Sequence, residues 1–211
     1  VCSSDLIPQY VTDIMALITQ LGLSKVDWFG TSMGGLIGMF VAAQEHSPIR
    51  RMILNDVGPR IESAALSRLG DYVGKPLRFA TKKEGLIYLN RICAPFGTFP
   101  PEQWKAYNGP HLMKRGDAWI LHYDPSIAKP FEALSSATAI VGEMMTWKAY
   151  DAIAADMLIV RGGDSDLLSA RTVAEMCQRN SRARSIEIPG VGHAPAFITP
   201  EQVSLVREFF I

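Results

Sequence analysis

Residues 30–34 read Gly30-Thr31-Ser32-Met33-Gly34, a G-x-S-x-G pentapeptide between two apolar runs of different character. The run before it, Lys25-Val26-Asp27-Trp28-Phe29, is short and rich in strand formers. The run after it, residues 34–44, has helical length and many small side chains. A serine at such a junction sits on a sharp turn, with its hydroxyl pushed out above the edge of a sheet. Both flanking glycines, Gly30 and Gly34, are expected because a Cβ would clash in so tight a turn. Five loosely constrained positions recur by chance, so the motif gains weight only from suitable partners downstream.

An acid and a histidine lie downstream, in that order. Residues 157–161, Met-Leu-Ile-Val-Arg, read as a second strand, running into Gly162-Gly163-Asp164-Ser165-Asp166-Leu167-Leu168-Ser169. A carboxylate just past the C-terminal end of a parallel strand lies where open α/β sheets place their sites. Two aspartates compete there. Asp166 fits the spacing better, since it precedes an apolar pair and a helix-starting serine, and Asp164 then serves the turn. The histidine is His193, in the shaped loop Pro189-Gly190-Val191-Gly192-His193-Ala194-Pro195 after a third strand near 184–188. His46, His111 and His122 have no comparable setting and read as structural. One further acid, Asp56, comes after a strand near 51–55 in Asn55-Asp56-Val57-Gly58-Pro59. Because the Asp166 loop is intact, Asp56 is expected to order the hinge of the middle segment and not to join the site.

These residues carry a family resemblance. The segment Trp28-Phe29-Gly30-Thr31-Ser32-Met33-Gly34-Gly35, the stretch 161–169 and the loop 190–195 resemble those of α/β-hydrolases, in particular bacterial esterase-like members. That group includes enol-lactone hydrolases and carbon–carbon bond hydrolases. The order nucleophile, acid, histidine is the order of that fold, and some members draw their acid from the position of Asp56. The resemblance implies a serine hydrolase of carboxylic esters or lactones, with Ser32 as nucleophile, His193 as general base and Asp166 as its orienting acid. It also implies that the backbone N–H of Met33 donates to the oxyanion. Carbon–carbon bond hydrolysis of a diketone acid with the same three residues is the nearest variant. A non-catalytic ligand-binding protein or an inactive truncated product is the alternative from a different class. Relatives with an aspartate nucleophile, the dehalogenases and epoxide hydrolases, are disfavoured by Ser32.

The chain departs from the family pattern at its beginning. A helix is expected over residues 8–22, opened by Pro8, with Val11, Ile14, Met15, Leu17, Ile18 and Leu21 at helical spacing and Gly22 to end it. It already stands for the helix before the nucleophile strand, so the early strands and the loop giving a second oxyanion donor have no counterpart. Residues 1–6, Val-Cys-Ser-Ser-Asp-Leu, fit nothing in the family and match one reading frame of a common sequencing-adapter end. They are expected to be a non-native leader on an N-terminally truncated gene product. Strand 25–29 then becomes an exposed apolar edge, which predicts self-association.

The expected fold class is therefore α/β: the C-terminal part of an α/β-hydrolase, with a parallel sheet of about four strands and helices on both faces. Residues 7–59 and 147–211 are expected to form its core, and residues 60–146 a helical cap, with helix-like patches near 62–73, 81–93, 101–107 and 130–145. Trp147, Met144, Met145 and Phe96 are candidates for lining a substrate pocket. The balance of 21 basic and 21 acidic residues gives no footing for nucleic acid or an anionic membrane. Hydrophobic residues make up 48% of the chain, enough for a sizeable core. Cys2, Cys93 and Cys177 are too scattered for a disulfide framework or a zinc site. No cofactor and no metal is expected, the partner is a small-molecule substrate, and the default location is the cytoplasm.

Overall fold

The computed structural model describes residues 7–129 and 136–211. The expected leader, 1–6, lies outside the described residues, as does the start of the helix-like patch at 130–145. Helix α1 (Ile7–Gln20) leads into strand β1 (Val26–Thr31), helix α2 (Met33–Ala42) and strand β2 (Ile49–Asn55). A middle region comes next: α3 (Ser63–Gly70), β3 (Arg78–Phe79), α4 (Lys82–Ile92), α5 (Pro101–Asn108), β4 (Leu112–Arg115) and β5 (Ala118–Leu121). Helix α6 (Ser136–Asp151) returns the chain to β6 (Asp156–Gly162), α7 (Ala170–Arg179), β7 (Ala183–Ile188) and α8 (Pro200–Phe210).

The main sheet has the order β1-β2-β6-β7, and every neighbouring pair is parallel. Its central strands read as apolar runs because both faces are covered. Alternate residues go to opposite sides. Met52, Leu54, Met157 and Ile159 pack in one core with Met39 and Val41 of α2, Tyr150 of α6 and Met176 of α7. Ile53, Leu158 and Val160 face the other way, against Phe209 of α8. Helix ends obey local chemistry. Ser169 and Thr199 cap α7 and α8 by accepting from Thr172 N–H and Gln202 N–H. Strand β1 lies at an edge of the sheet, as expected, with Phe29 exposed, and Leu17, Leu21 and Leu23 are exposed near it in the chain.

The segment inserted between β2 and β6 departs from the all-helical cap expected for it. It contains a three-stranded antiparallel sheet, order β3-β5-β4, whose core is Leu89, Leu112 and Leu121. The turn of its hairpin is Gly116, at φ 64°. The expected boundary at residue 147 falls inside α6, which runs unbroken from the inserted segment into the core. Residue 147 is therefore no joint.

Candidate active site

Ser32 stands between the end of β1 and the start of α2, in the left-handed region at φ 50°. Its N–H donates to the Asn55 carbonyl at the end of β2, 3.1 Å away, which pins the turn to the neighbouring strand. The tightness of the turn is measurable. A Cβ on Gly30 would lie 2.5 Å from the Gly34 carbonyl oxygen. One on Gly34 would meet open space, so the second glycine that the elbow demands is Gly35, whose Cβ would come within 2.4 Å of Val57 Cγ1. Met33 is the first residue of α2, so its N–H has no intrahelical acceptor.

His193 arrives from the loop after β7. Its Nε2 lies 3.0 Å from Ser32 Oγ, and its Nδ1 lies 2.8 Å from Asp56 Oδ2. The imidazole is 7% exposed and the Asp56 carboxyl is fully buried. Asp56 takes two more hydrogen bonds: the Gly162 N–H donates to Oδ1 at 2.8 Å, and the Ser165 hydroxyl donates to Oδ2 at 2.6 Å. Its backbone is also left-handed, at φ 54°, a region that aspartate tolerates better than most residues. The Asn55 side-chain amide ties this corner together, donating to Thr31 Oγ1 at 3.0 Å and to the Pro195 carbonyl at 2.9 Å.

The expected partner of His193, Asp166, is elsewhere. Its carboxylate is gripped by Arg68 of α3, Nε to Oδ2 at 2.6 Å and Nη2 to Oδ1 at 2.8 Å. That guanidinium holds the Asp166 carboxyl below its ordinary range, the hydrogen bond being the main cause. The correction has a topological reason. Strand β2 lies between β1 and β6, so an acid at its end stands between the nucleophile and the loop after β6. The acid of the latter loop turns outward, toward the inserted segment. Asp164, read as a turn residue, lies in that turn. A signal for Asp56 did exist in the sequence. It directly succeeds Met52-Ile53-Leu54-Asn55, which is buried throughout, and a carboxyl at the end of such a run needs donors.

A cavity of about 600 Å³ opens beside Ser32. Leu36, Val57, Leu66, Leu69, Ile127 and Leu167 make it largely apolar, and Ser63, Thr146, Arg60 and Glu143 add polar groups. The pocket candidates read from sequence are not among its walls. Met144 and Met145 are exposed on α6, Phe96 packs edge-on against Tyr107, and Trp147 sits under the Arg179 guanidinium at 4.4 Å. Residues of α6 do line the cavity, but on its other side, through Ile140, Glu143 and Thr146. Arg60 anchors that helix, paired with Glu143 at 2.7 Å and with Glu175 of α7 at 3.0 Å. Burial pushes the Cys93 thiol up to about 11, so it stays protonated and does not compete as a nucleophile at neutral pH.

A strand–serine–helix elbow with a histidine and a buried acid at the C-terminal edge of a parallel sheet is the pattern of one fold family, and the sequence profile of the alpha/beta hydrolase family matches residues 3–204. The chain belongs to the alpha/beta hydrolase family. Relatives of this hydrolase are close. Over 208 residues it is 48% identical to a 3-hydroxybutyrate-oligomer hydrolase of Cupriavidus necator, an alignment covering 97% of this chain and 71% of that protein. It resembles the crystal structure of an alpha/beta hydrolase from Novosphingobium aromaticivorans, with a TM-score of 0.85 and 32% identity over 98% of this chain and 72% of that one. A putative hydrolase from Rickettsia typhi matches with the same TM-score of 0.85, at 26% identity over 97% of this chain and 69% of that one. Among the described residues, no helix of this hydrolase is long and apolar enough to cross a membrane.

Proposed function

We propose that this hydrolase cleaves carboxylic esters through an acyl-enzyme formed on Ser32, and that its substrates are short oligoesters of hydroxy acids. The observation that carries the reading is the continuous hydrogen-bonded line from Ser32 Oγ through His193 to Asp56. A serine hydroxyl is a weak nucleophile at neutral pH. His193 Nε2, at 3.0 Å, is placed to take its proton as the bond to the acyl carbon forms. The same nitrogen then returns that proton to the leaving alkoxide. Water repeats the sequence on the acyl-enzyme and frees the acid. Asp56 holds the imidazole with Nδ1 protonated and stabilises the imidazolium. The Met33 N–H, at the positive end of α2, donates to the oxyanion. The substrate class rests on the Cupriavidus necator relative and on the cavity beside Ser32, whose size lies in the range of small-molecule sites.

A fluorophosphonate probe tests the mechanism. Labelling is expected on Ser32, located by mass spectrometry, and lost in Ser32→Ala and His193→Ala. Release of monomer from a 3-hydroxybutyrate dimer or trimer tests the substrate class. Folded chain that takes no label at Ser32 would sink the mechanism. Labelled chain that cleaves p-nitrophenyl butyrate but no oligoester would sink only the substrate.

A further inference from the structure

Ser165 lies in the loop after β6, where the sequence suggested a catalytic acid, and its hydroxyl is bound in a way that leaves one choice of direction. The Leu167 N–H at 3.2 Å and the Leu168 N–H at 3.1 Å both point at Ser165 Oγ. A hydroxyl has two acceptor sites and one proton. With both acceptor sites filled, the proton goes to the remaining neighbour, Asp56 Oδ2, at 2.6 Å. That is the same oxygen that faces His193 Nδ1 at 2.8 Å. The loop also grips the histidine's own loop: the Gly163 N–H donates to the Ile188 carbonyl at 2.8 Å and the Asp164 N–H to the Val191 carbonyl at 2.9 Å. Arg161 braces it from behind, with Nε on the Leu168 carbonyl at 2.8 Å and Nη1 on the Gly163 carbonyl at 3.0 Å.

We infer that Ser165 is a positioning residue for the hydrolytic reaction: its hydroxyl, fixed as a donor by two backbone amides, locks the Asp56 carboxylate in the plane that presents Oδ2 to His193. The inference rests on the acyl-enzyme mechanism at Ser32. Gly162 N–H holds the other carboxylate oxygen. Together the two donors stop the carboxylate from turning about its Cβ–Cγ bond. Without Ser165 the carboxylate keeps, among the described residues, a single protein donor besides the imidazole, the Gly162 N–H, and the imidazole loses a fixed partner. A hydrogen bond to a charged group in a buried site is worth enough to change turnover by about tenfold to a hundredfold. Because Ser165 acts on the catalytic line and forms no wall of the cavity, the loss falls on kcat and leaves KM within about twofold.

The decisive experiment is a double-mutant cycle on the whole chain, read by kcat and by the rate of fluorophosphonate labelling. Ser165→Ala should lower both by about tenfold or more, and Ser165→Thr, which keeps the hydroxyl, should restore most of the loss. In an Asp56→Asn background, Ser165→Ala should cost less than about twofold, since its target is already gone. An equal cost in both backgrounds, or an unchanged kcat in Ser165→Ala, would overturn the proposal. Should the alanine variant fail to fold, Ser165→Cys keeps the size with a weaker donor and must lower kcat at an unchanged melting temperature, or the proposal falls. Ser32 labelling in the parent chain separates this outcome from a failure of the acyl-enzyme mechanism.

Discussion

The turn after β2 and the loop after β6 make an instructive pair. Both come after apolar parallel strands, both open at the same edge of the sheet, and each offers an aspartate. Asp56, in the first, is fully buried and bonded to Gly162, Ser165 and His193. Asp166, in the second, has a side chain 43% exposed and is paired with Arg68. The loop with the more persuasive spacing supplies donors to the acid, and the turn with the plainer sequence supplies the acid itself. Position at a strand end is thus necessary for such a site and does not choose between candidates. Burial with directed hydrogen bonds does.

The sharpest way to break this comparison is to neutralise each acid in turn. Asp56→Asn leaves the shape intact but presents an amide to His193, which favours the wrong tautomer. Turnover should fall by on the order of 10⁴-fold, as it does for the matching change in serine proteases. Asp166→Asn should stay within about threefold of the parent, because a half-exposed pair to a cap arginine is not part of the proton path. Steady-state kinetics on one p-nitrophenyl ester read both. If the two variants exchange these outcomes, Asp166 is the working acid and the observed contact of Asp56 is incidental.

The framework of the site was legible because it is written in local chemistry. The serine turn is marked by Gly30, although the structure moves the second required glycine from Gly34 to Gly35. The histidine loop is marked by Pro189, Gly190 and Gly192, and the strands by apolar runs that the sheet reproduces closely. Asp56 was legible as a candidate but could not be chosen over Asp166, since what brings it to His193 is the order β1-β2-β6, a long-range fact that no local window contains. The β3-β5-β4 sheet was missed for a different reason. Its strands are two to four residues long and carry exposed Lys114 and Arg115, so they show neither the length nor the alternation of a strand. The Arg115-Gly116-Asp117 turn was the available hint. The wall of the cavity on α6 was misjudged by its apolar residues. Met144 and Met145 face outward, and Glu143 and Thr146 face the cavity.

A smaller effect sharpens the same contrast through the backbone. The two loops meet the histidine loop so closely at Gly162 that an added Cβ would lie 2.5 Å from the Gly192 and Val191 carbonyl oxygens. At Gly163, one residue on, the nearest atom would be Pro189 Cα at 3.2 Å. Gly162→Ala must therefore push the His193 loop away from Asp56. A shift of about 1 Å in a reacting group costs roughly a hundredfold in turnover, and the overpacking costs about 1–3 kcal/mol in stability. Gly163→Ala should show a clearly smaller loss of turnover. Kinetics and denaturant melts on the two variants give the answer, and equal losses would show that Asp56 and His193 tolerate movement of the loop between them.

The smallest effect is electrostatic and belongs to Asp166. Its carboxyl is held below the ordinary range mainly by the Arg68 hydrogen bond, with burial opposing. A carboxyl depressed in the folded state stabilises the fold at pH values above its unfolded pKa, about 3.9. That contribution is lost as pH falls through the lower, folded value. The Arg68 and Asp166 side chains are 34% and 43% exposed, so solvent screens the pair and its worth is about 0.2–1 kcal/mol. Melting temperature measured from pH 7 to pH 3 should therefore fall slightly less steeply in Arg68→Gln than in the parent. The difference should shrink in about 1 M salt, which weakens interactions between partly exposed charges. Because this pair joins α3 to the loop after β6, its loss loosens the inserted segment while leaving Asp56 bound to its donors. Ester turnover at neutral pH should hardly change. A large loss of turnover in Arg68→Gln would mean that the outward-facing acid reaches the catalytic line after all, through the shared loop that carries Ser165.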